Sequence, residues 1–223
     1  SWKPLLPHSA NPSISNTSIN IWHTKGHSNH SMKHLTDYLQ NLRDAIDALD
    51  LEQVAQLRER FAAARERDAQ IFLCGNGGSG ATASHLANDL GKGASLDQGR
   101  RFRVIALTDN APWISALAND ISYDVIFAEQ LRNLSRPGDL LLAISGSGNS
   151  PNILQAVEAA KELGVETIGW TGFGGGKLAQ LADRSIIVDS HHMGRVEDVH
   201  TILMHLICYY FMEVPEAADG SAA

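Results

Sequence analysis

The chain has 223 residues, 43% hydrophobic and 19% charged, a balance that fits a globular protein with a core and argues against disorder. Eighteen Lys and Arg against 25 Asp and Glu leave a net charge of −7, which argues against nucleic-acid or anionic-membrane binding through a broad basic face. No apolar run approaches the ~20 residues of a membrane span. The two cysteines, Cys74 and Cys208, are too few for a disulfide framework or a four-thiolate zinc site. Set in Ile-Phe-Leu-Cys and Leu-Ile-Cys-Tyr-Tyr, they read as buried, reduced thiols of a cytoplasmic protein.

Residues 1–31 are rich in Ser, Asn, Pro and His and carry no helical or strand period, which predicts a flexible extension. They lack a basic start followed by an apolar stretch, so no secretory leader is expected. His8, His23, His27 and His30 match no metal-ligand spacing. From Met32 the pattern turns helical, with Leu35, Tyr38, Leu39, Leu42, Ile46 and Leu49 at helix spacing. Asp50 is placed to cap a second helix that carries Leu51, Val54, Leu57 and Phe61 on one face.

Strands and helices then alternate. Strands are predicted at 70–74, 102–107, 139–144, 165–170 and 185–188. Helices are predicted at about 81–90, 113–119, 126–134, 151–163, a short one ending at Leu181, and 196–212. Pro151 suits the first turn of its helix and Gly164 its end. This order predicts an α/β body over 32–214, a five-stranded parallel sheet flanked by helices on both faces, followed by a disordered tail at 215–223. Ligands in such sheets bind beyond the C-terminal strand ends, where strand order reverses.

Two of those ends carry small-residue loops, Gly75-Asn76-Gly77-Gly78-Ser79 and Ser145-Gly146-Ser147-Gly148-Asn149-Ser150. Strand–loop–helix turns of this kind present backbone N–H groups, hydroxyls and a helix N-terminus to an anion. No Gly-Lys-Ser/Thr follows, so neither is a Walker loop. Counting Gly80, the first loop also reads Gly-x-Gly-x-x-Gly, and Asp109 follows the next strand. A dinucleotide site for hydride transfer therefore stays open, although such a site has no use for the second, Ser-rich loop.

The two loops and the closing Arg-Val-Glu-Asp-Val-His at 195–200 resemble the sugar isomerase (SIS) domain family, and within it the phosphoheptose isomerases, over about residues 33–213. The resemblance implies aldose–ketose isomerisation of a sugar phosphate, sedoheptulose 7-phosphate to glycero-manno-heptose 7-phosphate, through an enediolate. It also implies a homotetramer with active sites between subunits. The alternative is a non-catalytic relative, either a sugar-phosphate-binding regulator or a protein that associates with a replication initiator.

An enediolate path needs a general base, a general acid and a stabiliser for the developing oxyanion. His85 and Asp89 are four residues apart on one helical face, and Glu197 and His205 project from roughly one side of the last helix. Imidazoles with carboxylates suit zinc. By resemblance, Asp89 and His205 are the catalytic pair, and His85 and Glu197 complete a zinc site with them. Asn76, Gly77, Gly78, Ser79, Asp109, Ser145, Gly146, Ser147, Ser150 and Glu197 form the substrate site. Two positions depart from the family pattern, with Asp89 in place of Glu and Glu197 in place of Gln. Each candidate has a plainer alternative: His85 as an ordinary helix residue, Asp89 paired with Lys92, His205 as a satisfied core histidine among Leu203, Met204, Leu206 and Ile207, and Glu197 as a first-turn carboxylate. His200 faces another side and reads as structural or interfacial.

Overall fold

A computed structural model describes residues 29–96 and 99–214. The extension expected at 1–31 and the tail expected at 215–223 therefore fall, apart from residues 29–31, outside the described residues. The chain divides into two units, Ser1–Thr36 and Asp37–Ala223. The described part of the first is the opening of helix α1 (Asn29–Asp47), where the Thr36 hydroxyl donates to the carbonyls of Met32 and Lys33.

The second unit carries the rest of α1, then α2 (Leu51–Glu66), β1 (Gln70–Gly75), α3 (Gly77–Asn88), β2 (Arg103–Ala106), α4 (Ala111–Asp120), α5 (Ala128–Leu134), β3 (Leu140–Ile144), α6 (Pro151–Glu162), β4 (Glu166–Thr171), α7 (Leu178–Leu181), β5 (Arg184–Ile187) and α8 (Met193–Glu213). Asp50 caps α2 as expected, accepting from the backbone N–H of Glu52 at 3.0 Å and Gln53 at 3.2 Å. The strands form one sheet in the order β2-β1-β3-β4-β5, and every pairing is parallel.

Strand residues alternate between two cores. Ile71, Leu73, Leu142 and Trp170 pack with Phe61, Leu86, Leu203 and Phe211, from α2, α3 and α8. Phe72, Cys74, Leu141 and Ala143 pack with Leu131, Ile153, Val157 and Leu178, from α5, α6 and α7. A parallel sheet covered on both faces requires such doubly apolar strands. Strand order reverses between β1 and β3, and the helices that follow these strands, α3 and α6, lie on opposite faces. This opens a crevice at the strand ends. Both cysteines are free and buried, and burial pushes the Cys74 thiol up to about 12. Among the described residues, no helix is long and apolar enough to cross a membrane.

Three differences from the expected element boundaries bear on the site. Helix α3 begins at Gly77, so part of the glycine-rich string is its first turn. The expected end of that helix becomes a π-helical turn, Asp89–Gly93, in which the Ala94 N–H reaches the Asp89 carbonyl at 2.9 Å. Helix α8 starts at Met193 because His192 Nδ1 accepts from the Arg195 N–H at 3.4 Å and caps it.

His200 is structural, as expected. It is 1% exposed, its Nε2 lies 3.4 Å from the Thr171 carbonyl, and its Nδ1 has no hydrogen-bond partner. Burial lowers its pKa to about 4, against an ordinary value of 6.5. The folded state therefore favours neutral imidazole, and the unfolded state binds the extra proton. Stability from this group is complete above pH 6.5 and is lost as pH falls toward 4, by roughly 3 kcal/mol in all. Urea unfolding between pH 7 and pH 4 is expected to show that loss, and a His200→Gln variant is expected to show a flatter profile. Equal slopes in the two proteins would contradict it.

Candidate active site

At the end of β1 the chain turns directly into α3. Asn76 is extended, with φ −103° and ψ 146°, and Gly77 follows at φ +53°, in the left-handed region that glycine adopts at little cost. A Cβ on Gly75 would lie 2.5 Å from the Ser79 backbone, so the strand end and the helix start touch. After β3, Ser145–Ser150 makes a second tight turn. Gly148 has φ +66°, and a Cβ there would run into the Gly175 carbonyl and stand 2.7 Å from Thr171 Oγ1. Asn149 staples this turn to the next loop, donating to the Ser147 carbonyl at 2.8 Å and accepting from the Lys177 N–H at 3.2 Å. The Ser145 hydroxyl donates to Ser150 Oγ at 3.2 Å, and Pro151 then opens α6.

The two loops face each other across a cavity of about 260 Å³. Ser145, Gly146, Ser147 and Ser150 line one side, and Asn76, Gly77, Gly78 and Ser79 the other. Met193 and Glu197 from the start of α8 close it. A Cβ on Gly78 would stand 2.5 Å from Glu197 Oε1, so a side chain at position 78 would displace this carboxylate from where it now sits. Every predicted substrate-site residue except Asp109 thus lines one cavity, and no Lys or Arg is among the lining residues. Attraction for an anion comes from N–H groups, hydroxyls and the N-termini of α3 and α6. Glu197 stands over the start of α3, which leaves the α6 end as the more electropositive half. Asp109 lies apart, at the end of β2, where it accepts from the Ser84 hydroxyl at 2.5 Å. Ser84 lines a second cavity of about 310 Å³, which shares Asn76 with the first.

Further along α3 and α8, His85, Asp89 and His205 come together, with one ligand-type atom from each lying within 4.8 Å of the others. His85 Nε2 is 3.5 Å from Asp89 Oδ2, and the His85 and His205 rings meet edge to face at 5.2 Å. Asp89 also accepts from the Asn88 amide at 3.0 Å. His205 is half-buried and stacks its edge with Tyr209 at 5.7 Å, so it projects toward the cluster rather than into the core. Glu197 is not part of this group. It lies eight residues before His205, about 12 Å of helical rise, and belongs to the anion cavity.

Residues 34–172 match the SIS domain family. The chain is 40% identical over 169 residues to the phosphoheptose isomerase of Desulfovibrio desulfuricans, spanning 73% of this chain and 80% of that one. It is 41% identical over 155 residues to that of Rhodospirillum rubrum, spanning 70% and 82%. Its fold superposes on the solved phosphoheptose isomerase of Neisseria gonorrhoeae with a TM-score of 0.75 and 32% identity, over 83% of this chain and 98% of that one. The chain belongs to the SIS domain family, in its phosphoheptose isomerase group.

This SIS domain also recruits residues that the sequence did not single out. Asn152, in the first turn of α6, exchanges two hydrogen bonds with Asn76. Tyr123, in a single 3₁₀ turn at Tyr123–Val125, donates to Asn76 Oδ1 at 3.2 Å. The signal for Asn152 was present, a polar side chain on the apolar face formed by Ile153, Ala156 and Val157. Tyr123 carries no local signal, because its partner lies 47 residues away.

Proposed function

We propose that this protein isomerises sedoheptulose 7-phosphate to an aldose heptose 7-phosphate. The observation that supports this most directly is the spacing of the site's two halves along the same pair of helices. Ser79 to His85 is about 9 Å of rise on α3, and Glu197 to His205 about 12 Å on α8. An extended heptose 7-phosphate spans roughly 10 Å from C1 to phosphorus, given bond lengths of about 1.5 Å. With its phosphate in the cavity, its carbonyl end falls at His85, Asp89 and His205.

Ser145, Ser147, Ser150 and the Gly146 N–H hold the dianion at the start of α6, with Gly77, Gly78 and Ser79 facing it. Asn76 and Glu197 bind hydroxyls along the chain, and Asp109 takes a hydroxyl on the β2 side. Asp89 removes the proton from C1 and returns it to C2, while His205 moves a proton between O1 and O2. Two imidazoles and a carboxylate gathered within 4.8 Å suit zinc, whose catalytic sites use three protein donors and leave one position open. A divalent ion held by His85, Asp89 and His205 would supply Lewis-acid stabilisation of the oxyanion.

The functional unit in this reading is the SIS body at 32–214, a cytoplasmic homotetramer with sites between subunits. Large exposed apolar side chains support the assembly, with Leu206 and Tyr209, beside His205, both 46% exposed and Ile121 64% exposed. Two free buried thiols fit a reducing compartment. Purified protein with zinc and sedoheptulose 7-phosphate in deuterated water is expected to yield aldose carrying deuterium at C2, followed by proton NMR. Binding of the sugar phosphate without turnover would favour the non-catalytic alternative.

A further inference from the structure

We propose that Asn152 is a positioning residue for the sugar-phosphate site, acting through the amide of Asn76. The proposal rests on the sugar-phosphate reading of the cavity but assigns a role to a residue outside it. Asn152 is 1% exposed, and a buried amide is costly unless paired. Its pairing is specific. Asn76 Nδ2 donates to Asn152 Oδ1 at 2.9 Å, and Asn152 Nδ2 donates to Asn76 Oδ1 at 2.8 Å. Tyr123 adds a third bond to Asn76 Oδ1 at 3.2 Å.

These contacts nearly exhaust the hydrogen-bonding capacity of Asn76. Its oxygen has two lone pairs, and both are engaged. Its nitrogen has two N–H groups, and one is engaged. Asn76 therefore meets a ligand with a single N–H, selecting an acceptor oxygen of the phosphate ester or the sugar chain. The reciprocal amide pair also ties the loop after β1 to the first turn of α6, so the two sides of the cavity keep a fixed spacing. Without Asn152, only the Tyr123 hydroxyl restrains the Asn76 amide about its last torsion, and the N–H is no longer preset.

The test is a double-mutant cycle in the full-length protein, read by calorimetric binding of sedoheptulose 7-phosphate alongside kcat and KM. Asn152→Ala is expected to weaken binding about tenfold, the size of one lost hydrogen bond to a polar ligand, with KM moving more than kcat. Asn152→Asp, nearly the same size but setting a carboxylate oxygen against Asn76 Oδ1, is expected to weaken it at least as much. Tyr123→Phe, at a position 54% exposed, is expected to cost about threefold and keeps the test decisive if the Asn152 variants fold poorly. In an Asn76→Ala background, each of these changes is expected to have no further effect. Losses that add fully in that background, or unchanged binding by Asn152→Ala and Tyr123→Phe, would overturn the proposal. Wild-type binding without turnover contradicts the isomerase reading and leaves the cycle readable. Wild-type protein that fails to bind this sugar phosphate overturns both.

Discussion

Asp89→Asn is expected to lower kcat by about 100- to 10,000-fold, the range for loss of a positioned general base, or roughly 3–5 kcal/mol of transition-state stabilisation. The substitution keeps the size of the side chain and removes its capacity to take a proton from carbon. The nearest cavity residue on α3, Ser79, lies nearly three helical turns from Asp89, so the dissociation constant for sedoheptulose 7-phosphate is expected to stay within about threefold. His205→Asn is expected to behave similarly. The double variant is expected to be little worse than either single one, because groups that act together in one proton transfer are strongly non-additive. Steady-state kinetics paired with calorimetric titration read both quantities. Near-normal kcat in Asp89→Asn would remove Asp89 from the chemistry.

Ser147→Asp is expected to raise KM by at least about 100-fold. Ser147 lines a cavity with no Lys or Arg among its lining residues, so nothing there neutralises an added carboxylate. Two unit charges 4 Å apart interact by about 4 kcal/mol at an effective dielectric of about 20, and the phosphate ester carries close to two charges. Ser147 is only partly buried, so the variant is expected to fold, which a thermal melt checks. Ser147→Ala, which removes one hydroxyl donor, is expected to cost about tenfold or less. Inorganic phosphate as the titrant isolates the anion cavity from the rest of the sugar site. Wild-type affinity for phosphate in Ser147→Asp would place the anion elsewhere.

The sequence was most legible where one stretch of chain carries the whole signal. The strand–loop–helix strings at 75–79 and 145–150 could be read as anion loops because strand end, small residues and helix start are contiguous, and they do face each other across one cavity. The sheet followed from the apolar runs and their spacing, with β2 two residues shorter than expected, β3 one residue shorter, and β5 shifted by one residue at its expected length. Glycine obscured the start of α3. Gly77, Gly78 and Ser79 read as loop residues, yet the first turn of a helix has no intrahelical acceptors for its N–H groups and tolerates glycine well. The π-helical turn at Asp89 was invisible, since it depends on a single shifted backbone bond. Glu197 shows the limit of spacing arguments. Positions 197 and 205 share a side of α8, but they are separated along its axis by about 12 Å, and the carboxylate joins the anion cavity instead of the imidazoles. The Asn76–Asn152–Tyr123 network was out of reach for a different reason, because its members meet only once β1, the Tyr123 turn and α6 are packed together.

The most direct test is a crystal structure of the Asp89→Asn variant with sedoheptulose 7-phosphate bound. The account predicts phosphate oxygens within hydrogen-bond distance of Ser145, Ser147 and Ser150, and C1 and C2 beside the residue at position 89 and His205. A phosphate seated outside the 145–150 turn, or a sugar whose carbonyl end points away from His205, would contradict it.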